Sequence, residues 1–425
     1  MKSRVASLTL ILSSLTLPVG LSLPAAVFAG DNAVASYRKL PLDAQFFSEG
    51  ATFGDFNKDG KLDAASGPYW WEGPDFKIRH EIYPALPFDP LKYSDNFLSF
   101  SYDFNGDGWT DYLVLGWPGV DASWYENPGA QGGMWRRRVV FLGVDNESPT
   151  LGDLLGKGQP ALVCMSGGRI GYATFDPKDP VRPWTFHPIS PPGAWQRYTH
   201  GLGFGDINGD GRNDLLEKDG WWEQPASLAG DPVWKQHKFS FAPLIPPDPA
   251  DPRKTARGGA QMYVYDVNGD KLPDVITSID AHGYGLSWFE QTRGADGTIS
   301  FKEHLITTQK ADQKIAGVQF AQPHAIVLAD FDGDGLLDIL TGKRWWAHGP
   351  TGDVEPNAAP VLYAFLLRRA ADGTASYLPH LIDDTTGVGT QVTAADANGD
   401  GRPDILVGNK RGTAILLSEK TAAKK

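Results

Sequence analysis

The stretch "GLGFGDINGDGRNDLLEKDGWWEQP", Gly201 to Pro225, decides how this chain is read. It sets Asp206, Asn208, Asp210 and Asp214 at positions 1, 3, 5 and 9 of a glycine-rich turn between two apolar runs, and a Trp pair follows. The same nine-residue run recurs at Asp55–Asp63, Asp103–Asp111, Asp266–Asp274, Asp330–Asp338 and Asp396–Asp404. A decayed copy, "DLLGKGQPA", spans Asp153 to Ala161. Successive first Asp residues lie 48 to 66 positions apart. A period of this size marks a propeller or a solenoid.

Each unit repeats one grammar. An apolar or alternating run precedes the turn ("HAIVLAD", "QMYVYD"), and a second follows it ("DILTG", "DVITS"). An aromatic run comes third ("YWWEGP", "WWEQP", "RWWAHGP"), and a fourth closes the unit ("FKIRHEIY", "FKEHLITT"). Short β-branched or aromatic runs between Gly, Pro and Asp turns read as strands. Four strands in each of seven units predict an all-β fold, a seven-bladed β-propeller. The units fall at about 49–90, 97–142, 147–190, 200–242, 260–308, 324–383 and 390–417. The last unit supplies three strands, and "ASYRKLPLD" stands ahead of the first with no unit of its own. Residues 34–43 are therefore expected to complete the last blade and close the ring.

Composition narrows the classes. Residues 1–29 begin with Lys2 and Arg4, continue through an apolar stretch and end in Val27-Phe28-Ala29. They read as a secretory signal peptide cut after about Ala29, leaving 30–425 as a single exported domain, periplasmic or secreted. No other apolar run is long enough to span a membrane. The single cysteine, Cys164, cannot form an internal disulfide, so an exported chain needs another clamp. The formal charge of −12 argues against nucleic acid as a partner.

The turns offer that clamp. Oxygens at positions 1, 3, 5 and 9, with a backbone carbonyl at 7, resemble the front of a calcium loop, and Gly at 6 permits the sharp turn. The expected ligand sets are Asp55, Asn57, Asp59, Lys61 and Asp63; Asp103, Asn105, Asp107, Trp109 and Asp111; and Asp206, Asn208, Asp210, Arg212 and Asp214. They continue with Asp266, Asn268, Asp270, Leu272 and Asp274; Asp330, Asp332, Asp334, Leu336 and Asp338; and Asp396, Asn398, Asp400, Arg402 and Asp404. Position 12, where an EF-hand carries its bidentate Glu, is Ser66, Val114, Glu217, Thr277, Thr341 and Val407, so Asp at 9 is expected to close the cage. Six structural Ca²⁺ ions follow. The third-unit loop, with Leu155, Lys157 and Ala161 replacing ligands, is expected to be empty, with Lys157 paired to Asp153. Lys271 at position 6 of the fifth loop predicts weaker binding there.

These units resemble FG-GAP, or VCBS, repeats over about residues 45 to 417. The combination of turn, Trp pair and Glu-x-Pro is similar to the propeller domain of aldos-2-ulose dehydratase. The resemblance implies a calcium loop between the first and second strands of each blade.

Six residues before each first Asp stand Glu49, Phe97, Glu147, His200, Ala260, His324 and Thr390, where the innermost strands begin. They are expected to ring the channel mouth at the face away from the calcium loops. Two Glu and two His there suit a transition metal or Mg²⁺, acid–base work, or a hydrated polar plug. Loops at the same face add Arg197, Lys218, His282, Tyr284, Lys343, Arg344, Lys410 and Arg411, a set suited to a carbohydrate or other small polar ligand. Two alternatives stand beside binding. A carbohydrate lyase or dehydratase would use His200, His324 or Tyr198 as base or acid, and an adhesion propeller would recognise a partner protein. The repeated Trp pairs, Trp70–Trp71, Trp221–Trp222 and Trp345–Trp346, read as third-strand packing, and His80, His187, His304 and His380 as structural.

Overall fold

The computed structural model describes residues 34–193, 195–242 and 258–419, and the segment read as a signal peptide lies outside them. The fold is all-β. β1 (Ser36–Asp43) is followed by β2 (Thr52–Gly54), β3 (Asp63–Ser66), β4 (Tyr69–Trp71) and β5 (Arg79–Glu81). β2 to β5 pair in succession as one antiparallel sheet. β6 (Leu98–Tyr102), β7 (Asp111–Leu115), β8 (Val120–Glu126), β9 (Arg136–Gly152), β10 (Ala161–Ser166), β11 (Arg169–Thr174) and β12 (Thr185–Pro188) form a seven-stranded sheet. β13 (Leu202–Gly205), β14 (Asp214–Glu217), β15 (Gly220–Glu223) and β16 (Lys235–Lys238) share an eight-stranded sheet with the next four strands. These are β17 (Gln261–Tyr265), β18 (Asp274–Ser278), β19 (Leu286–Arg293) and β20 (Ile299–Thr307). β21 (Ile326–Ala329), β22 (Asp338–Gly342), β23 (Leu362–Arg369) and β24 (Ala375–Asp383) make another four-stranded sheet. β25 (Thr393–Ala395), β26 (Asp404–Asn409) and β27 (Gly412–Glu419) pair in turn, and β1 lies antiparallel on β27.

The units are thus joined into five hydrogen-bonded sheets rather than seven separate ones. Two joins account for this. β9 is a single 17-residue strand that pairs with β8 through its first half and β10 through its second. β13 and β17 pair in parallel, Leu202 with Gln261 and Gly203 with Met262. Gly203 permits this approach, since a Cβ there would lie 1.9 Å from the Met262 carbonyl oxygen.

One sequence assignment is corrected. "RWWAHGP" is not a third strand; β23 is, and residues 343–361 form a long loop between β22 and β23. Trp345 and Trp346 accordingly stack on each other at 5.0 Å, half-buried, instead of packing in the core. Trp70, Trp71, Trp221 and Trp222 are buried core residues as expected. The first Trp of each of these pairs carries an outer-strand His on its face: His80 on Trp70 at 4.1 Å and His237 on Trp221 at 3.9 Å. Each imidazole is held by a carboxylate two residues beyond the Trp, Glu72 and Glu223. Trp288, His304 and Glu290 repeat the arrangement.

Candidate functional site

The register fixes two ends. Gly205 pairs with Asp214 beside the acidic turn, whereas Leu202 pairs with Glu217 at the other end of the same hairpin. The turns therefore sit at one end of the strands, and the residues preceding the first strands sit at the other.

At the turn end the six loops share one hydrogen-bond pattern, clearest in the fourth. Asp206 Oδ1 accepts the N–H groups of Gly209 (2.7 Å) and Asp210 (3.0 Å), and its Oδ2 accepts that of Gly211 (2.8 Å). The N–H of each position-7 residue, Lys61, Trp109, Arg212, Leu272, Leu336 and Arg402, donates to the position-5 carboxylate. Position 6 is left-handed throughout, at Gly211 (φ 84°) and also at Lys271 (φ 71°). Position 9 has a role the motif did not disclose. Asp214 Oδ2 accepts Ile207 N–H at 3.0 Å and Oδ1 accepts Gln224 N–H at 2.9 Å, tying the turn to the third strand. Asp63, Asp111, Asp274, Asp338 and Asp404 make the equivalent pair of bonds. Burial pushes these carboxyls up, to about 6 for Asp63 and about 8 for Asp111 and Asp338. In the sixth loop Asp330, Asp332 and Asp338 bring oxygens within 4.8 Å of one another, and Arg368 approaches the same loop, 3.1 Å from Asp334. In the third loop Lys157 meets Asp153 through its backbone N–H at 2.8 Å, and no ion pair joins the two side chains, correcting the expected pairing.

The other end gathers the residues expected at the channel mouth. Glu49, Phe97, Glu147, His200, Ala260, His324 and Thr390 are all buried. Glu147 lies on β9, and His200, His324 and Thr390 lie shortly before β13, β21 and β25. The loop after β18 brings His282 to them. His200 Nε2 is 3.0 Å from His282 Nε2 and 3.3 Å from His324 Nε2. Glu147 Oε2 is 3.2 Å from His324 Nε2 and 3.4 Å from His200 Nε2. Three imidazole nitrogens and one carboxylate oxygen thus face a common point.

Such spacing suits metal ligation. A tetrahedral ion bound at 2.0–2.1 Å separates its ligand atoms by about 3.3 Å. Three Nε2 atoms aimed at one another cannot all be satisfied by mutual hydrogen bonds. Nδ1 of His200, of His282 and of His324 is buried without a hydrogen-bond partner. His282 Nδ1 faces Asp353 Oδ1 at 3.5 Å, and that carboxylate also takes His348 Nδ1 at 2.9 Å. A carboxylate behind a ligating imidazole fixes its tautomer and aim. Burial holds His282 below the usual histidine range; burial and the Arg344 guanidinium hold His324 well below it. Burial would push Glu147 up, but His200 and His324 outweigh it and keep the carboxyl well below its usual range. Arg344, fully buried, binds Glu49 at 2.6 Å and lies 3.8 Å from Glu147.

A cavity of about 280 Å³ opens on this cluster, lined by Tyr93, Trp117, Glu147, Tyr198, His200, His282, Arg344, Ala347 and His348. Of the expected ligand residues, Glu147, His282 and Arg344 line it, and the others do not. Lys343 Nζ is spent on the carbonyls of Arg344 (3.2 Å) and Pro356 (3.1 Å), and Lys410 Nζ lies 4.3 Å from the Tyr93 ring centre. Burial lowers both amines to about 8. Arg411 stacks on Trp345 at 4.8 Å, Lys218 pairs with Asp219, and Tyr284 stands beside Glu355. Arg197 is exposed and lines a neighbouring cavity. Sequence reading missed Tyr93, His348 and Asp353. Tyr93 stood in the Pro-rich connection 84–96, and His348 was hidden by the strand assignment of its loop.

Comparison with known proteins agrees with the turn pattern. An FG-GAP-like repeat family matches residues 266–341 and an FG-GAP repeat family matches residues 388–421. No curated protein matches the chain. Among solved structures it is similar to an Agrocybe aegerita lectin that recognises non-reducing terminal N-acetylglucosamine, with 15% identity and a TM-score of 0.46 over 90% of this chain and 85% of that one. An auxiliary nutrient binding protein from Bacteroides ovatus is similar at 8% identity and a TM-score of 0.47, over 91% of this chain and 78% of that one. A putative 6-phosphogluconolactonase from Bacteroides fragilis matches at 13% identity and a TM-score of 0.41, over 80% and 82% of the two chains. No helix among the described residues is long and apolar enough to cross a membrane. Within an all-β chain of repeated Asp turns, residues 266–341 and 388–421 are thus FG-GAP-type repeats.

Proposed function

We propose that the chain is an exported, calcium-stabilised seven-bladed propeller that binds a carbohydrate-class polar ligand over a transition-metal site at its channel mouth. The observation that carries this reading is the convergence of Glu147, His200, His282 and His324 at 3.0–3.4 Å beneath an open, aromatic-walled cavity. The ring arrangement draws support from contacts between neighbouring first strands. Thr390 N–H donates to the Glu49 carbonyl at 3.0 Å, Glu49 N–H to Asn96 at 2.9 Å and Glu147 N–H to Thr199 at 2.9 Å. Support for calcium is the set of near-identical carboxylate turns, whose position-9 acids resist ionisation chiefly because they are buried, a penalty a divalent cation beside them would offset.

Within the cavity each group has a role in binding. A bound metal would offer a Lewis-acidic position for a ligand hydroxyl or carbonyl oxygen. Glu147 and the three imidazoles would hold it, with the Asp353 carboxylate 3.5 Å behind His282 Nδ1. Tyr93, Trp117 and Tyr198 line the cavity with aromatic surface of the kind that suits sugar C–H groups. Arg344, fixed by Glu49, balances the charge of Glu147.

Calorimetric titration of zinc-loaded protein with neutral mono- and oligosaccharides tests this. Binding is expected for the loaded protein and a fall of about tenfold or more for His324→Ala or after chelation, the loss of one charge-assisted contact. Full zinc content with equal sugar affinity in His324→Ala would contradict the metal's part, and no binding of any sugar would contradict the carbohydrate part.

A further inference from the structure

We propose that the ligand is a neutral oligosaccharide rather than a single sugar, with its second unit in an adjoining cavity across the Tyr93–Trp117 ring pair. The inference rests on the carbohydrate reading above and extends it. The central cavity, about 280 Å³, is small for an enclosed organic ligand, since such pockets begin at roughly 300 Å³. A second cavity of about 320 Å³ shares Tyr93 and Trp117 with it. The two rings meet at 3.9 Å between centres and 46° between planes, forming a common aromatic sill. An elongated ligand crossing that sill keeps apolar ring faces against aromatic rings on both sides.

The far cavity is furnished for hydroxyl groups. Asp121, Ser123 and Arg137 line it. Arg137 Nη2 donates to Asp121 Oδ2 at 2.9 Å, and Arg137 Nε donates to Ser123 Oγ at 2.9 Å. Ser123 Oγ in turn donates to Asp121 Oδ2, and with both of those side chains largely buried it is the half-exposed Arg137 whose remaining N–H groups face the opening. Donors and acceptors held in one rigid network match the paired donor and acceptor character of sugar hydroxyls.

Charge selects against an acidic sugar. Both guanidinium groups of the two cavities already have a carboxylate, Arg137 with Asp121 and Arg344 with Glu49. Asp95 adds a further carboxyl to the far cavity. A uronate in the far cavity would meet Asp95 and Asp121 without an unpaired guanidinium to hold it, and like charges at such range repel; a metal ion beside Glu147 would add positive charge only in the central cavity, so the discrimination falls on the second unit.

The test is calorimetry on zinc-loaded protein with gluco-, xylo- and manno-oligosaccharides of one to four units, and with oligogalacturonates of the same lengths. For at least one neutral series the affinity is expected to rise about tenfold or more between one unit and two or three. Arg137→Ala and Arg137→Gln should return the oligomer to the affinity of the monomer while leaving monomer affinity unchanged. Equal affinity for monomer and oligomer, preference for oligogalacturonate, or equal weakening of monomer and oligomer in both variants would each overturn the proposal. Failure of every sugar, monomers included, would remove the carbohydrate reading itself, a different result from monomer binding without length dependence.

Discussion

Glu217 stands at position 12 of the fourth acidic run, where a helix–loop–helix calcium site would put its last ligand. The strand turns it away. It lies at the far end of β14, buried, with Oε2 accepting Asp219 N–H at 2.8 Å. Burial raises its carboxyl to about 7 from the usual 4.5. Between those values the folded chain holds a proton that the unfolded chain releases. Its stabilising contribution is therefore complete below about pH 4.5 and is lost as pH rises through about 7. Glu217→Gln keeps an oxygen for Asp219 and cannot ionise. The variant should match the parent in urea unfolding near pH 4.5 and exceed it by on the order of 2 kcal/mol at pH 8; equal stability at pH 8 would show the carboxylate to be well solvated. The same scale explains why the buried cluster was partly legible. Aligning the repeats placed Glu147, His200 and His324 at one register position, because a repeat transmits position faithfully. Asp353 was not legible, since it sits in an insertion with no counterpart in other units.

At the scale of the element, the acidic turn is a hairpin whose carboxylates bond its own backbone and whose ninth residue staples it to the third strand. The fifth turn departs at position 6, where Lys271 takes φ 71°. A left-handed conformation costs an L-residue roughly 1–2 kcal/mol and glycine almost nothing, while glycine loses more entropy on folding. Lys271→Gly should therefore stabilise the protein by about 0.5–1 kcal/mol, read as a rise in melting temperature. A lower melting temperature would mean that the lysine side chain makes a compensating contact. The strand pattern was readable because turn residues and alternating runs bound each strand closely. The loop over residues 343–361 was misread because Trp-Trp there copies the local spelling of a third strand; β23, an apolar run lacking that spelling, pairs with β22 instead.

At the scale of the molecule, β1 joins the two termini of the described chain. It pairs with β27 from Ser36↔Glu419 to Asp43↔Thr413, a contact between residues nearly the whole sequence apart. Its loss would expose the edge of β27 and open the largest loop in the fold. Deleting residues 34–43 is expected to lower the melting temperature by about 10 °C or more and to promote association through the bared edge; an unchanged melt would assign closure to other contacts. The repeat made this pairing legible, because three strands in the last unit and an unclaimed run before the first leave one strand to share. The joins through β9 and β13–β17 were not legible, since they depend on how close neighbouring units approach. What such a scaffold presents at its centre is the heart of the account, and anomalous diffraction from zinc-soaked crystals at the metal's absorption edge examines it most directly. The account predicts one strong peak bounded by Glu147, His200, His282 and His324, absent in His324→Ala; a parent crystal with no peak among those four side chains would contradict it.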